Sequence, residues 1–221
     1  YSSCGMLVSA LTFNKYVCNH YLNNFGVRIA KSIRLMHGEN ITAEEVESKL
    51  GLPVFVKPND GGSSFGVTKV KEISALPAAI DKAFAEGKEV VIESFIEGTE
   101  VTCGCYKVKG KVFPVTEVVT SNEFFDFDAK YNGQVQEITP ARISPEWTKK
   151  VQSETSRIYD LLGAKGLIRV DYIIPADGEP CLLEINTTPG MTGTSFIPQQ
   201  VRAAGLNITD VMNDIIENEI N

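Results

Sequence analysis

Two short stretches, Arg169-Val170-Asp171 and Leu182-Leu183-Glu184-Ile185-Asn186, decide how this chain is read. Each sets charged or amide side chains inside an otherwise apolar run, as in a strand with one buried face. Residues 166–175 and 179–186 read as two such strands joined by Asp177-Gly178, a tight-turn pair. Glu184 and Asn186 then share a face, with Asp171 on the neighbouring strand. Carboxylates and amides are expensive to bury there unless they meet donors or coordinate something. Three oxygen ligands suit a magnesium ion bound to nucleotide phosphates. The plainer alternative is that Asp171 and Glu184 pair with Arg169 and a lysine. Arg169, two residues before Asp171, serves either that pairing or the charge on a transferring phosphoryl group.

Further toward the N-terminus, Leu52-Pro53-Val54-Phe55-Val56-Lys57-Pro58 reads as a buried strand. The loop Asn59-Asp60-Gly61-Gly62-Ser63-Ser64-Phe65-Gly66 and a strand over 67–70 follow it. Lys57 therefore ends a strand just before a glycine-rich loop, where backbone N–H groups, the Ser63 and Ser64 hydroxyls and an ammonium would face phosphate. A solvated hairpin tip is the alternative. The loop is not a Walker A motif, and its place between two strands favours a lid.

Other elements fill in around these. Residues 6–24 have helical spacing, Gly26 with Val27 and Ile29 suggests a stop and then a strand, and Thr42-Ala43-Glu44-Glu45 resembles a capping box on a short helix ending near Gly51. A helix over 76–85, strands over 90–96, 100–108 and 111–119, an amphipathic helix from Ser144-Pro145-Glu146 to about 162, and helices over 196–204 and 209–219 complete the reading. Interleaved strands and helices give an α/β or α+β class. Residues 121–139 are polar, aromatic-rich and aperiodic, longer than compact domains usually tolerate without a functional reason.

Composition narrows the partners. The chain has 221 residues, 43% hydrophobic, enough to bury a real core. Its 21 Lys and Arg stand against 28 Asp and Glu, a net charge of -7 with no basic run longer than two, so nucleic acid is not an expected partner. No apolar stretch is long enough to span a bilayer and nothing at the start resembles a signal peptide, so a cytoplasmic protein without membrane attachment is expected. Five scattered cysteines without a CxxC pair, and two histidines, point to free thiols in a reducing compartment. The opening at Tyr1, inside a turn-rich segment, reads as that of a fragment.

Lys57 with its Gly-Ser-Ser loop, Glu93 to Ile96, Glu100, Lys130-Tyr131, Arg169-x-Asp171 and Glu184-Ile185-Asn186-Thr187-Thr188-Pro189-Gly190-Met191-Thr192 occur in one order along the chain. In that order they resemble the D-alanine:D-alanine ligases of the ATP-grasp superfamily, and the resemblance spans the whole chain. The last string, followed by Ser195, Ile197 and Pro198, is its most specific part.

The resemblance implies an α/β (α+β) ATP-grasp fold of two subdomains gripping ATP. Residues 25–96 would form the central lid with antiparallel strands, and residues 97–221 the C-terminal subdomain with its active-site loop 121–139. Residues 1–24 would lead from an N-terminal domain that has no counterpart here, so the fragment alone should not ligate efficiently. It further implies ATP-dependent joining of two D-alanines through a D-alanyl phosphate for cell-wall precursors, with two Mg2+ ions (Mn2+ as a substitute) and a homodimer at full length. Lys15 and Lys57 would contact phosphates; Glu93, Ser94, Phe95 and Ile96 the adenine; Glu100 the ribose. Asp171, Glu184 and Asn186 would hold the metals. Ser63 and Ser64 would close over the phosphates, and Lys130 would approach the γ-phosphate. Arg169 would stabilise the acyl phosphate, and Gly190 and Ser195 would help hold the second substrate. Tyr131 goes with D-alanine as acceptor in the family; a D-alanine:D-lactate ligase and a non-catalytic ATP-binding module are the rivals. Two positions depart from the family pattern: Ser94 stands where lysine is frequent, and Asn14 precedes Lys15 where aspartate is common.

Overall fold

The computed structural model describes residues 2–62, 65–108, 110–120 and 135–220. Two antiparallel sheets organise them. The smaller has strand order β1-β4-β2-β3, from β1 (Ser32–Met36), β2 (Val54–Pro58), β3 (Thr68–Val70) and β4 (Glu89–Ser94). Its inner face, Val54, Val56, Val70, Val90 and Ile92, packs on α3 (Ala43–Leu50) and α4 (Leu76–Glu86). The capping box at Thr42 and Glu45 is formed, fixing where α3 begins. Alternation along β2 leaves Phe55 and Lys57 on the opposite face.

The larger sheet runs β10-β9-β5-β7-β8, with β6 beside β5. Its strands are β5 (Thr99–Tyr106), β6 (Lys111–Val112), β7 (Thr116–Thr120), β8 (Val135–Ile138), β9 (Ile168–Ile174) and β10 (Cys181–Asn186). Val101, Cys103, Val170, Tyr172, Leu182 and Ile185 form one face and bury against α5 (Pro145–Leu162). Gly98, at the turn entering β5, is required by sterics: a Cβ there would lie 2.3 Å from the Ile174 carbonyl oxygen. One end of the other face is covered by α6 (Phe196–Ala203) and α7 (Ile208–Ile220) over a third apolar cluster that includes Tyr106, Phe113 and Ile197.

Several sequence expectations are corrected. The helix over 6–24 is two helices, α1 (Met6–Phe13) and α2 (Lys15–Asn23), broken where Asn14 turns extended and its side chain accepts from Val17 N at 2.9 Å. Aspartate has the same capping ability, so asparagine at this position keeps the local structure. No strand follows Gly26 directly; Ile29 makes only an isolated bridge to Leu182. The strand over 111–119 divides into β6 and β7, because Pro114 between them has no N–H for a ladder. The segment over 121–139 is not loop to its end: residues 135–138 pair with β7 as β8, and residues 121–134 lie outside the described residues.

All five cysteines are free and buried, and burial pushes the thiols of Cys18, Cys103, Cys105 and Cys181 up to about 12. They pack as small hydrophobes. Among the described residues no helix is long and apolar enough to cross a membrane.

Candidate active site

The face of the larger sheet opposite α5 carries a row of polar side chains in register, buried at its Thr102–Thr116 end. Glu184 pairs with Asp171 across β10 and β9, Asp171 with Thr102 of β5, and Thr102 with Thr116 of β7. Directly opposed residues project to the same side, and the Thr116 hydroxyl continues the row to Thr139 at 2.6 Å. A register shift between Leu182 and Glu184 brings Glu184 opposite Asp171. The carbonyl of the intervening Leu183 is satisfied by the buried Asn19 of α2, at 3.1 Å.

Arg169 is the hub of this face. Its guanidinium donates to both Asp171 oxygens, at 2.9 and 2.8 Å, and lies 5.1 Å from the centre of the Phe196 ring. Burial opposes its charge, but the Asp171 carboxylate and its two hydrogen bonds win, and the pKa is raised. The simple pairing of Arg169 with Asp171 is thus formed, in a position where a ligand anion can compete for it.

Two lysines line the same cleft of about 510 Å3 as this row. Lys57 pairs with Glu93 at 2.7 Å, while Lys15 donates to the Gly61 carbonyl at 2.7 Å and lies 3.9 Å from Glu184. Burial lowers the Lys15 pKa, with Glu184 pulling the other way. Asn59, fully buried, fastens the start of α2 to the smaller sheet: its side chain accepts from Tyr16 N at 2.8 Å and donates to Glu89 at 2.6 Å, and its carbonyl accepts from Lys15 N at 3.1 Å.

Of the residues singled out from sequence, Lys15, Lys57, Glu93, Ser94, Phe95, Ile96, Glu100, Arg169, Asp171 and Glu184 all line the cleft. Asn186 stands beside it on β10, its amide oxygen accepting from Thr188 N at 3.0 Å. Gly190 and Ser195 are not among the residues that line it. A Cβ at Gly190 would come within 2.9 Å of the Ser195 hydroxyl, which is turned back to Thr192 at 2.8 Å. Ser63, Ser64, Lys130 and Tyr131 fall outside the described residues. Phe196 under Arg169, and Gln199 and Gln200 on α6, gave no sequence signal beyond falling in the expected helix over 196–204.

The donor set has a definite chemistry. Among the described residues no group of three or more His, Cys, Asp or Glu side chains comes together as a closed ligand set. A cation here would be held by Asp171, Glu184 and the Asn186 amide, completed by phosphate oxygens or water, which is how magnesium is bound beside nucleotides. The residues fit it: all three donors are oxygens, the carboxylates are cross-strand neighbours, and the Asp171 oxygens keep lone pairs beyond those used by Arg169.

Two sheets gripping a cleft, with Lys57 on the smaller sheet, Lys15 at the start of α2, and an oxygen-ligand row with an arginine on the larger sheet, define a nucleotide-dependent enzyme of the ATP-grasp class. The family model described as D-ala D-ala ligase C-terminus matches residues 22–217. The chain therefore belongs to the D-alanine–D-alanine ligase family. It is 80% identical to the D-alanine--D-alanine ligase of Parabacteroides distasonis, an alignment covering 100% of this chain and 67% of that protein. Identity to the Bacteroides fragilis D-alanine--D-alanine ligase is 65%, over 99% of this chain and 68% of the relative. Among solved structures, VanG D-Ala:D-Ser ligase from Enterococcus faecalis superposes with a TM-score of 0.89 at 35% identity, covering 98% of this chain and 64% of that one. D-alanine--D-alanine ligase from Bacillus anthracis complexed with ATP gives 0.84 at 31%, covering 98% and 69%. The chain thus spans about two thirds of the length of the relatives it matches.

Proposed function

We propose that the protein containing this chain joins two D-alanine molecules at the expense of ATP, for cell-wall precursor synthesis. The observation that carries the reading is the row Glu184–Asp171, with Arg169, lining one cleft together with Lys15 and Lys57. The adenine lies against residues 93–96, with Ser94 offering a hydroxyl where the family often has a lysine. Glu100 takes the ribose, and Lys15 and Lys57 exchange their carbonyl and carboxylate partners for phosphates. Asp171, Glu184 and Asn186 hold two Mg2+ ions, for which Mn2+ can substitute; bound there, the cations neutralise phosphate charge.

An oxygen of the first D-alanine's carboxylate takes the γ-phosphoryl group, giving an acyl phosphate and ADP. Arg169 neutralises its oxyanion, and Ser195 with the Gly190 backbone holds the acceptor's carboxylate. The acceptor ammonium gives up a proton to solvent, and the free amine attacks the acyl carbon; the C–N bond forms, the nitrogen loses its second proton, and the C–O bond breaks to release inorganic phosphate. Positioning and charge neutralisation carry most of the rate. Ser63, Ser64, Lys130 and Tyr131 belong to segments proposed to close over the phosphates and exclude water. Residues 25–96 and 97–221 are proposed as the two gripping units, residues 1–24 as the link to an N-terminal domain, and the whole protein as a cytoplasmic homodimer.

The test is phosphate release from Mg-ATP by the natural full-length polypeptide, with D-alanine, D-serine, D-lactate and L-alanine as parallel acceptors. Release with D-alanine supports the proposal. Release with D-lactate but not D-alanine gives a depsipeptide ligase instead, and ATP binding without release for any acceptor gives a nucleotide-binding module.

A further inference from the structure

Glu137 is a carboxylate that the reading above leaves without a task. Val118 of β7 is its cross-strand partner and stands two residues from Thr116, so Glu137 projects from the same face as Thr116, Thr102, Asp171 and Glu184. Val118 itself lines the cleft. The carboxylate is half-buried and held from α6: Gln199 donates through Nε2 to Glu137 Oε2, and also to the Thr194 carbonyl at 2.7 Å. Gln199 follows Ser195 by four residues, one helical turn, which sets their Cβ atoms roughly 5–6 Å apart. Burial raises the Glu137 pKa, while Gln199 and the Arg169 charge act against that rise. Glu137 thus sits between the helix start proposed to hold the acceptor's carboxylate and the guanidinium proposed to hold the acyl phosphate.

We infer that Glu137 is a further acceptor-side specificity residue, receiving the ammonium group of the second amino acid between Ser195 and Arg169. The inference rests on the proposed ligase reading. An α-amino acid presents a carboxylate and an ammonium on neighbouring atoms, and Ser195 and Glu137 offer partners of matching character, linked through Gln199, whose amide reaches both Glu137 and the Thr194 carbonyl next to Ser195. Asp171 and Glu184, the other carboxylates of the row, are committed to cation binding in that reading. Gln199 takes one oxygen, Oε2, and a carboxylate accepts on both. A hydroxy acid brings no cation to this position and gains nothing from it, so Glu137 favours amino acids over hydroxy acids as acceptors.

The experiment is steady-state ligation by the full-length protein and its Glu137→Gln and Glu137→Leu variants, titrating ATP, D-alanine and D-lactate separately. The glutamine variant keeps the volume and the contact with Gln199, and circular dichroism and the urea midpoint report its fold. Loss of a charge-assisted contact to the ammonium is expected to lower the D-alanine over D-lactate ratio of acceptor kcat/KM on the order of 10- to 100-fold, with the KM for ATP unmoved. An unchanged ratio in folded Glu137→Gln overturns the inference while leaving the ligase reading intact. An equal rise in the KM for ATP assigns Glu137 a general structural role and also overturns it. Wild-type protein that turns over no acceptor overturns the ligase reading, and this inference with it.

Discussion

Replacing Gln200 by leucine tests how the helix at the end of the site is fastened. Gln200 is fully buried at the point where β7 has peeled away from β5: the two strands pair only at Val101 and Thr102. Its side chain stands in for the missing ladder. It accepts from Gly104 N at 2.8 Å and donates to the Thr102 carbonyl and the Thr116 hydroxyl, both at 3.0 Å. Gly104 leaves room for this, since a Cβ there would be 2.7 Å from the amide oxygen and 2.4 Å from Ile197. Leucine has a similar volume, so the cavity term is small. It strands the Gly104 N–H and strips a donor from Thr102, while Thr116 keeps Thr139 at 2.6 Å. A stranded buried polar group costs about 1–3 kcal/mol, and the pair about 2–4 kcal/mol after the gain from extra apolar burial.

In urea unfolding, with a slope of about 2–3 kcal/mol per molar for a protein of this size, the midpoint of Gln200→Leu should fall by about 1 M at unchanged slope. The acceptor KM should rise as well, because the same helix begins with Phe196 beneath Arg169. A midpoint lowered by less than about 0.3 M would refute the account of Gln200 as a substitute ladder partner.

Glu184→Gln removes one negative ligand from the cation site but keeps the strand's shape; turnover with Mg-ATP should fall by roughly 100-fold or more while the urea midpoint holds, and a near-wild-type rate would end the assignment of Glu184 to metal. Gly98→Ala forces a methyl against a backbone carbonyl that cannot swing aside, so it should destabilise by about 3 kcal/mol or more; a neutral effect by thermal unfolding would show that the β4–β5 turn has slack. Glu117 is held below the ordinary carboxylate range by hydrogen bonds from Arg142. A depressed folded pKa gives stability that is present above the unfolded value of about 4.3 and lost as pH falls through the folded one. Arg142→Gln should therefore be less stable than wild type at neutral pH, with the gap closing below about pH 4; melting points that differ by a constant amount across that range would contradict the pairing.

The sequence was most legible where chemistry and periodicity agreed. Val54-Phe55-Val56-Lys57 alternates cleanly, and Lys57 does face the cleft. The Thr42–Glu45 capping box formed as written, because it needs only local hydrogen bonds. Illegible were features set by contacts distant in sequence. Nothing near Asn14 separates a capping residue from one inside a continuous helix; the break is fixed by Asn59, which binds Tyr16 N and Lys15 N from the β2–β3 hairpin. Gln199 and Gln200 carry no mark within the expected helix over 196–204, yet Gln200 is buried because β5 lacks a partner there. Residues 135–138 read as loop because their pattern is mixed, and they became a strand only because β7 offers an open edge.

The register shift at Leu183 explains why the most informative stretch read correctly in its chemistry and incompletely in its geometry. Strict alternation places Leu182, Glu184 and Asn186 on one face, yet Leu182 belongs to the core under α5 and the other two belong to the site. Without the shift, pairing of Leu182 with Tyr172 would put Leu183 opposite Asp171 and Glu184 opposite the buried Val170, driving a carboxylate into the apolar core. One extra residue in β10 reverses the faces between Leu182 and Glu184, as bulges do where a strand must re-aim a side chain. The freed Leu183 carbonyl is taken by Asn19, so α2 supports the bulge through Asn19 and, through Lys15, bonds the Asn59 and Gly61 carbonyls of the β2–β3 hairpin. The segment before Gly26 is thus part of the site's framework, and it holds both sides of the proposed phosphate position in register.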